Sequence, residues 1–276
     1  MTSISLHPTP SSRTVATEEF RAVGLALRTE AIFFVAALVV FGVIIVAAAV
    51  RFAHGDHSPN ARMGFRYDSS GAIPMFLVGL LIPFGVWRSE DPARRSYHWS
   101  MPVARGPHTV MKLLSGWGWL MIATILYLLF VIAVAYSVSM ITGGEAWQRS
   151  TPAWEWAVAF TAPTLGYLLT SIAVIGSDHP WRWIGGILIG YGVLLAVLKS
   201  FGMDDFVRAL NAISDGRYGL NAALFGTVTD GARGITVGVT RETMATMRMG
   251  TWVLAMPLWL IGSAIAVTIA SYRHRE

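Results

Sequence analysis

Four stretches of this chain run for twenty or more residues without a charged side chain, which few soluble folds can accommodate. They lie between Glu30 and Arg51, Lys112 and Glu145, Glu155 and Asp178, and Arg248 and Arg273. A helix rises about 1.5 Å per residue, so roughly 20 apolar residues cross the ~30 Å of bilayer hydrocarbon, and each of the four is long enough. Two shorter runs, Gly71 to Trp87 and Trp183 to Leu198, bring the candidate spans to six. With 54% of its 276 residues hydrophobic, 13% charged and a mean hydropathy of +0.54, the chain has too little polar surface to clothe a water-soluble domain. The expected fold is an all-α integral membrane protein, one transmembrane domain over residues 1–276.

The first span is Ala31 to Val50. Ahead of it, residues 13–30 gather Phe20, Val23 and Leu27 on one helical face and distribute Glu18, Glu19, Arg21 and Arg28 around the others, which predicts an interfacial helix. No small-residue cleavage pattern follows this first run, so it reads as a retained helix and not a signal peptide. The second span carries Pro74 and Pro83, which predict a bend. The third, Leu113 to Ile141, is too long for a perpendicular crossing and must project or tilt, with Trp117 and Trp119 read as interfacial anchors. The fourth covers Trp156 to Ile175, with Pro163 and Gly166 as a kink site. The fifth, Trp183 to Leu198, is near the lower limit, so a full span and a re-entrant segment both fit; its Gly186 and Gly190 would permit close helix contact. The sixth is Thr251 to Ser271, with Pro257 inside it.

Loop charge sets the expected orientation. The connection 88–112 holds Arg88, Arg94, Arg95, Arg105 and Lys112 against Glu90 and Asp91, which favours the cytoplasm. An even number of spans then places both termini on that side, in a bacterial-type inner membrane. Residues 199–248 are expected as an extracytoplasmic cap or hairpins, with short helices over Phe201 to Ile213 and Thr240 to Met249 and turns at Asp215-Gly216 and Asp230-Gly231.

The spans are poor in reactive groups. Asp, Glu, Lys and Arg are absent from their central parts, which argues against a proton- or sodium-driven transporter with a buried ionisable relay. Cysteine is absent altogether, excluding disulfides, thiolate metal sites and cysteine nucleophiles. There is no GxxxxGK[ST] loop, HExxH pair or GxSxG turn. His54 and His57 flank Asp56 in a polar loop, and His98, His108 and His179 fall at or outside span edges, which does not suit axial haem ligation. Neither a catalytic residue, a metal site nor a cofactor is expected in this chain.

The most informative polar segment runs from Trp87 to Trp119. Glu90, Asp91, Arg94, Arg95 and Arg105 concentrate charge there, while Tyr97, Trp99, Met101 and Val103 alternate with small or polar residues. Such a segment suits docking on a protein groove, where aromatic burial supplies contact and charge restricts orientation; it equally suits a lipid-headgroup belt. Here the chain resembles the permease subunits of ABC-2 type transporters, the membrane half of many ATP-binding-cassette exporters. The resemblance lies in the N-terminal interfacial helix, the six spans, and the run Arg94, Arg95, then Met101-Pro102-Val103-Ala104-Arg105, then Lys112 entering span three. Met101 stands where leucine is frequent in that family and Ala104 where serine is.

The resemblance implies a two-subunit pathway, homodimeric or heterodimeric, driven by cytoplasmic ABC ATPase subunits that carry the ATP and Mg. Residues Glu90, Asp91, Arg94, Arg95, Tyr97, Met101, Pro102, Val103, Arg105 and Lys112 would form the coupling segment, with Pro102 fixing its turn and the arginines meeting acidic groups on the ATPase or lipid. Membrane lipids are expected partners; nucleic acid is not. The competing reading is a non-transporting scaffold or accessory subunit of a larger complex, for which hydrophobic spans and interfacial aromatics suffice. An intramembrane lipid enzyme is disfavoured by the missing buried acid, histidine or metal constellation.

Overall fold

The computed structural model describes residues 12–55, 67, 69–88, 105–144, 152–177, 179–228, 246–247 and 249–273. Their order is α1 (Ser12–Ala26), α2 (Arg28–His54), a 3-10 turn (Ser69–Ala72), α3 (Ile73–Trp87), α4 (Arg105–Thr142), α5 (Ala153–Gly176), α6 (Pro180–Ser200), α7 (Asp204–Asp215), α8 (Leu220–Phe225), a two-residue antiparallel pair β1 (Thr227–Val228) and β2 (Thr246–Met247), and α9 (Met249–Arg273). Six helices are long and apolar enough to cross a membrane: α2, α3 with its preceding turn, α4, α5, α6 and α9. The chain is an all-α multi-pass membrane protein.

Helix α5 is the axle. Of its most hydrophobic 18-residue window 61% is buried, against 6% for α2 and none for α6. Burial is possible on so many sides because small residues and prolines let neighbours come close. The closest crossing is with α3, whose buried Met75, Gly79, Pro83 and Val86 recur at helical spacing along one stripe. A Cβ on Gly79 would lie 3.0 Å from Pro163 Cα of α5, and one on Gly166 of α5 would lie 2.9 Å from the Phe76 ring of α3. With lipid tails as apolar as the side chains, such backbone proximity is what holds helices together in a bilayer. Pro74 stands in the first turn of α3, where no amide hydrogen is needed, while Pro83 and Pro163 lie inside their helices and are buried.

Of four apolar clusters among the described residues, one joins α2 to α4 through Ala49, Val134 and Val138, and the other three follow one another along the bundle. At one end Ala72, Val158, Ala162, Leu165, Trp252 and Ala255 pack around α8. In the middle Met75, Leu120, Tyr127, Ala159 and Tyr167 join α3, α4 and α5. At the other end Val23 and Leu27 of the N-terminal region meet Val86, Val174, Val267 and Ala270. Both ends of the described chain therefore lie at the same end of the bundle. Hydroxyls inside the spans bond back to carbonyls one turn earlier, as Thr124 does to Leu120 at 2.9 Å. Two tyrosines tie elements together: Tyr127 donates to the Gly71 carbonyl and Tyr167 to the Leu113 carbonyl, each at 2.8 Å.

Several boundaries differ from the sequence reading. The interfacial helix expected over 13–30 ends at Ala26, and Arg28 to Glu30 already belong to α2. The third span starts at Arg105 and extends 38 residues, about 57 Å at helical rise, so it projects well beyond hydrocarbon. The fifth run lengthens to 21 residues, and among the described residues nothing lies within 4 Å of a Cβ placed on Gly186 or Gly190, so the GxxxG pair packs against none of the described helices. A helix over Thr240 to Met249 is contradicted by the β1–β2 pair, in which Thr246 and Met247 are extended partners of Val228 and Thr227.

Residues 199–248 are expected as an extracytoplasmic cap or hairpins, and the described stretch 199–228 forms a helical hairpin after a turn near Phe201. Its first half folds back along the spans. After the turn at Phe201 to Met203, α7 runs beside α6, and the Tyr191 hydroxyl, midway along α6, reaches Asn211 Oδ1 at 3.4 Å. The turn Gly216–Gly219 then meets α9 at Trp259, whose indole donates to the Tyr218 carbonyl at 2.9 Å. Helix α8 returns toward the Trp252 end, where Gly226 takes a left-handed φ of 68° against Trp154. Met249 to Trp259 is about 15 Å of α9, so the hairpin tip stands roughly half-way along a spanning helix.

Candidate functional site

The end of the bundle that holds α1 also holds both anchors of the charged connection between α3 and α4. The amphipathic face expected on residues 13–30 exists, with Val23 2% and Leu27 5% exposed, and it lies against protein. Phe20 stacks on Trp119 of α4 with centroids 5.0 Å apart and planes 13° from parallel, and the Trp119 indole donates to the Phe20 carbonyl at 3.0 Å. Gly24 makes room, since a Cβ there would stand 2.8 Å from Trp119 Cε2. Trp119, read as an interfacial anchor, is thus a clamp on α1, whereas Trp117 is partly exposed and donates to Thr164 Oγ1 at 3.1 Å.

A carboxylate–imidazole contact and an ion pair flank the clamp. Glu19 of α1 approaches His108 in the first turns of α4 at 3.7 Å, and Glu30 of α2 approaches Arg88 at the end of α3 at 3.8 Å. The second pair is largely exposed, so it orients the chain more than it stabilises it. Between Arg88 and Arg105 the connection therefore starts and ends on elements already tied to α1 and α2.

Of the ten residues assigned to the coupling segment, Glu90, Asp91, Arg94, Arg95, Tyr97, Met101, Pro102 and Val103 lie outside the described residues. Arg105 opens α4, and its side chain is outside them too. Lys112 is placed, and it departs from the docking role: it is 5% exposed, with its ammonium 4.9 Å from the centroid of the Trp87 ring. A cation over an indole face is attracted to the ring's negative quadrupole, so Lys112 locks the end of α3 to the start of α4 and faces inward. Spacing alone counted it among the basic residues of the connection; its packing on Trp87 turns it inward.

Sequence reasoning missed the charge at the tip of the α7–α8 hairpin. Asp215 accepts from the Asn221 amide at 2.6 Å, and Arg217 is exposed, its guanidinium 5.9 Å from the Tyr218 ring centroid. Glu155, which had served only as a span boundary, is buried in the first turn of α5 at 3% exposure. Among the described residues no three His, Asp or Glu side chains are grouped to hold a metal. His54 is spent on the end of α2, its Nδ1 2.8 Å from the Val50 carbonyl. What this end of the bundle offers is mechanical: a braced frame around a charged connection.

Compared with known protein families, curated proteins and solved structures, the chain matches none.

Proposed function

We propose that this chain is the membrane-spanning permease subunit of an ATP-driven exporter of the ABC-2 type, paired with a second permease subunit and driven by separate cytoplasmic ATPase subunits that bind ATP and Mg. The observation that carries the reading is the frame at the α1 end: a charged connection whose two anchors are both held, Arg88 to α2 through Glu30 and α4 to the amphipathic helix α1 through His108 and Trp119. A force applied to residues 89–104 would reach α3 and α4 together and be resisted by α1. Coupling of this kind works through contacts that differ between two states of the assembly.

Two further features support it. The helical hairpin α7–α8 interrupts the bundle before the last span, and non-helical backbone at membrane depth is tolerated where it is buried in protein or lines a watered path. The broad exposed faces of α2 and α6 leave room for lipid and for a second subunit. In this reading the α1 end faces the cytoplasm of a bacterial-type inner membrane, consistent with the basic residues of 88–112.

The test is co-purification with the ATPase subunit. Replacing Arg94, Arg95 and Arg105 together by Glu should abolish complex-dependent stimulation of ATP hydrolysis while membrane insertion persists. Undiminished stimulation would count against the docking assignment, and a purified assembly free of ATPase but rich in cofactor-bearing subunits would favour the scaffold reading.

A further inference from the structure

The hairpin tip sits over an apolar groove of about 440 Å³, bounded by Leu169 and Ile172 of α5, Ile213 and Tyr218 of the hairpin, and the Leu258 to Ala266 face of α9. That volume falls within the roughly 300–1,000 Å³ of small-molecule clefts. Its α9 residues, Leu258, Gly262, Ser263 and Ala266, recur at helical spacing, so the groove runs parallel to a spanning helix for about 12 Å. Its chemistry is one-sided. Ser263 is the polar side chain in the α9 wall, and the Trp259 indole is already committed to the Tyr218 carbonyl.

A charge stands at its head. Arg217 adjoins the groove residue Tyr218 half-way along α9, it is exposed, and among the described residues no carboxylate lies within ion-pair distance of it; neighbouring Asp215 is engaged by Asn221. An arginine set beside the middle of a helix long and apolar enough to cross a membrane is costly there unless it meets water, an anion or a partner, and such residues mark ligand paths. Guanidinium also matches the oxygen geometry of phosphate.

We propose that the hairpin tip and the groove form a binding site for an anionic amphiphile, with its phosphate on Arg217 and a single alkyl chain lying in the groove along α9. As a station on a transport path this rests on the permease reading, and it names the substrate class as phosphate-headed lipid; as a binding site it requires no ATPase.

The experiment uses the full chain reconstituted in phosphatidylcholine vesicles, without ATPase. The probes are a long-chain alkyl phosphate carrying a photoactivatable diazirine in its chain and the matching uncharged alcohol, with crosslinks mapped by mass spectrometry. The phosphate should crosslink saturably to Leu169–Ile172 and Leu258–Ala266. The alcohol should do so at least about tenfold more weakly, a difference of roughly 1.4 kcal/mol. Arg217→Gln should reduce phosphate labelling to the level of the alcohol, and Gly262→Leu, at a groove position where an added Cβ meets none of the described atoms within 4 Å, should abolish both. Equal labelling by phosphate and alcohol, labelling indifferent to Gly262→Leu, or crosslinks spread over the outer faces of α2 and α6 would each overturn the proposal. Because ATPase stimulation is measured separately on the complex, loss of this site leaves the coupling reading standing, and the reverse also holds.

Discussion

Gly79→Ala is the sharpest probe of how α3 and α5 are held. The added carbon would lie 3.0 Å from both Pro163 Cα and its carbonyl carbon, a separation that real Cβ atoms hardly reach, and closer still to the carbonyl oxygen. Ordinary contact begins at 3.4 Å, so the helices must part by about half an ångström or more along their tightest line. A gap of ~0.5–1 Å forfeits about a quarter to a half of each dispersion well along the seam, and overpacking of this kind costs roughly 1–3 kcal/mol. Pro163 cannot yield by a rotamer change, because the obstacle is backbone. The comparison variant is Gly186→Ala on α6, where the same methyl meets nothing within 4 Å. Both substitutions carry the same gain in intrinsic helix preference, about 1 kcal/mol in water, so their difference isolates the steric term. SDS-induced unfolding of the purified protein in mixed micelles should place Gly79→Ala below Gly186→Ala by about 1–3 kcal/mol. If the two unfold within ~0.5 kcal/mol of each other, the close α3–α5 crossing is wrong.

Trp119→Ala removes both the Phe20 stack and the hydrogen bond to the Phe20 carbonyl, so α1 should lose amide-exchange protection by roughly tenfold or more while α5 keeps its own; equal loss in both helices would mean that the clamp is part of the core and not a local hinge. Because the chain contains no cysteine, single cysteines report topology without background. Ala16→Cys on α1 and Ala153→Cys at the start of α5 are both exposed and lie toward opposite ends of the bundle, so in sealed inside-out vesicles an impermeant thiol reagent should label the first and spare the second; labelling of both from one side would break the proposed orientation.

Much of the architecture was legible in the residues. The six spans were placed to within a few residues at most ends, since charge-free length is a direct measure of what can lie in hydrocarbon. The one-sided pattern of Phe20, Val23 and Leu27 correctly marked a buried face, although periodicity does not tell whether lipid or α4 covers it. Lys112 looked like one more basic residue of the connection, because its inward aim follows from where α4 begins and how it is phased against Trp87. The connection 89–104, where most of the proposed coupling residues lie, falls outside the described residues, so its role rests on the pattern of Arg94, Arg95 and Arg105 and on the two anchors that bracket it.

Membrane residence and helical class were settled by composition along the chain, because a backbone in hydrocarbon has no water to bond and must close its hydrogen bonds within each segment wherever twenty apolar residues follow one another. Which helix became the axle, how deep the α7–α8 hairpin reaches, and the position of Arg217 beside an apolar groove were decided by contacts such as Gly79 with Pro163 and Tyr218 with Trp259. Those pairs are separated by forty residues or more in sequence. Their meeting depends on side-chain volume and helix phase summed over several elements, quantities that no single segment carries.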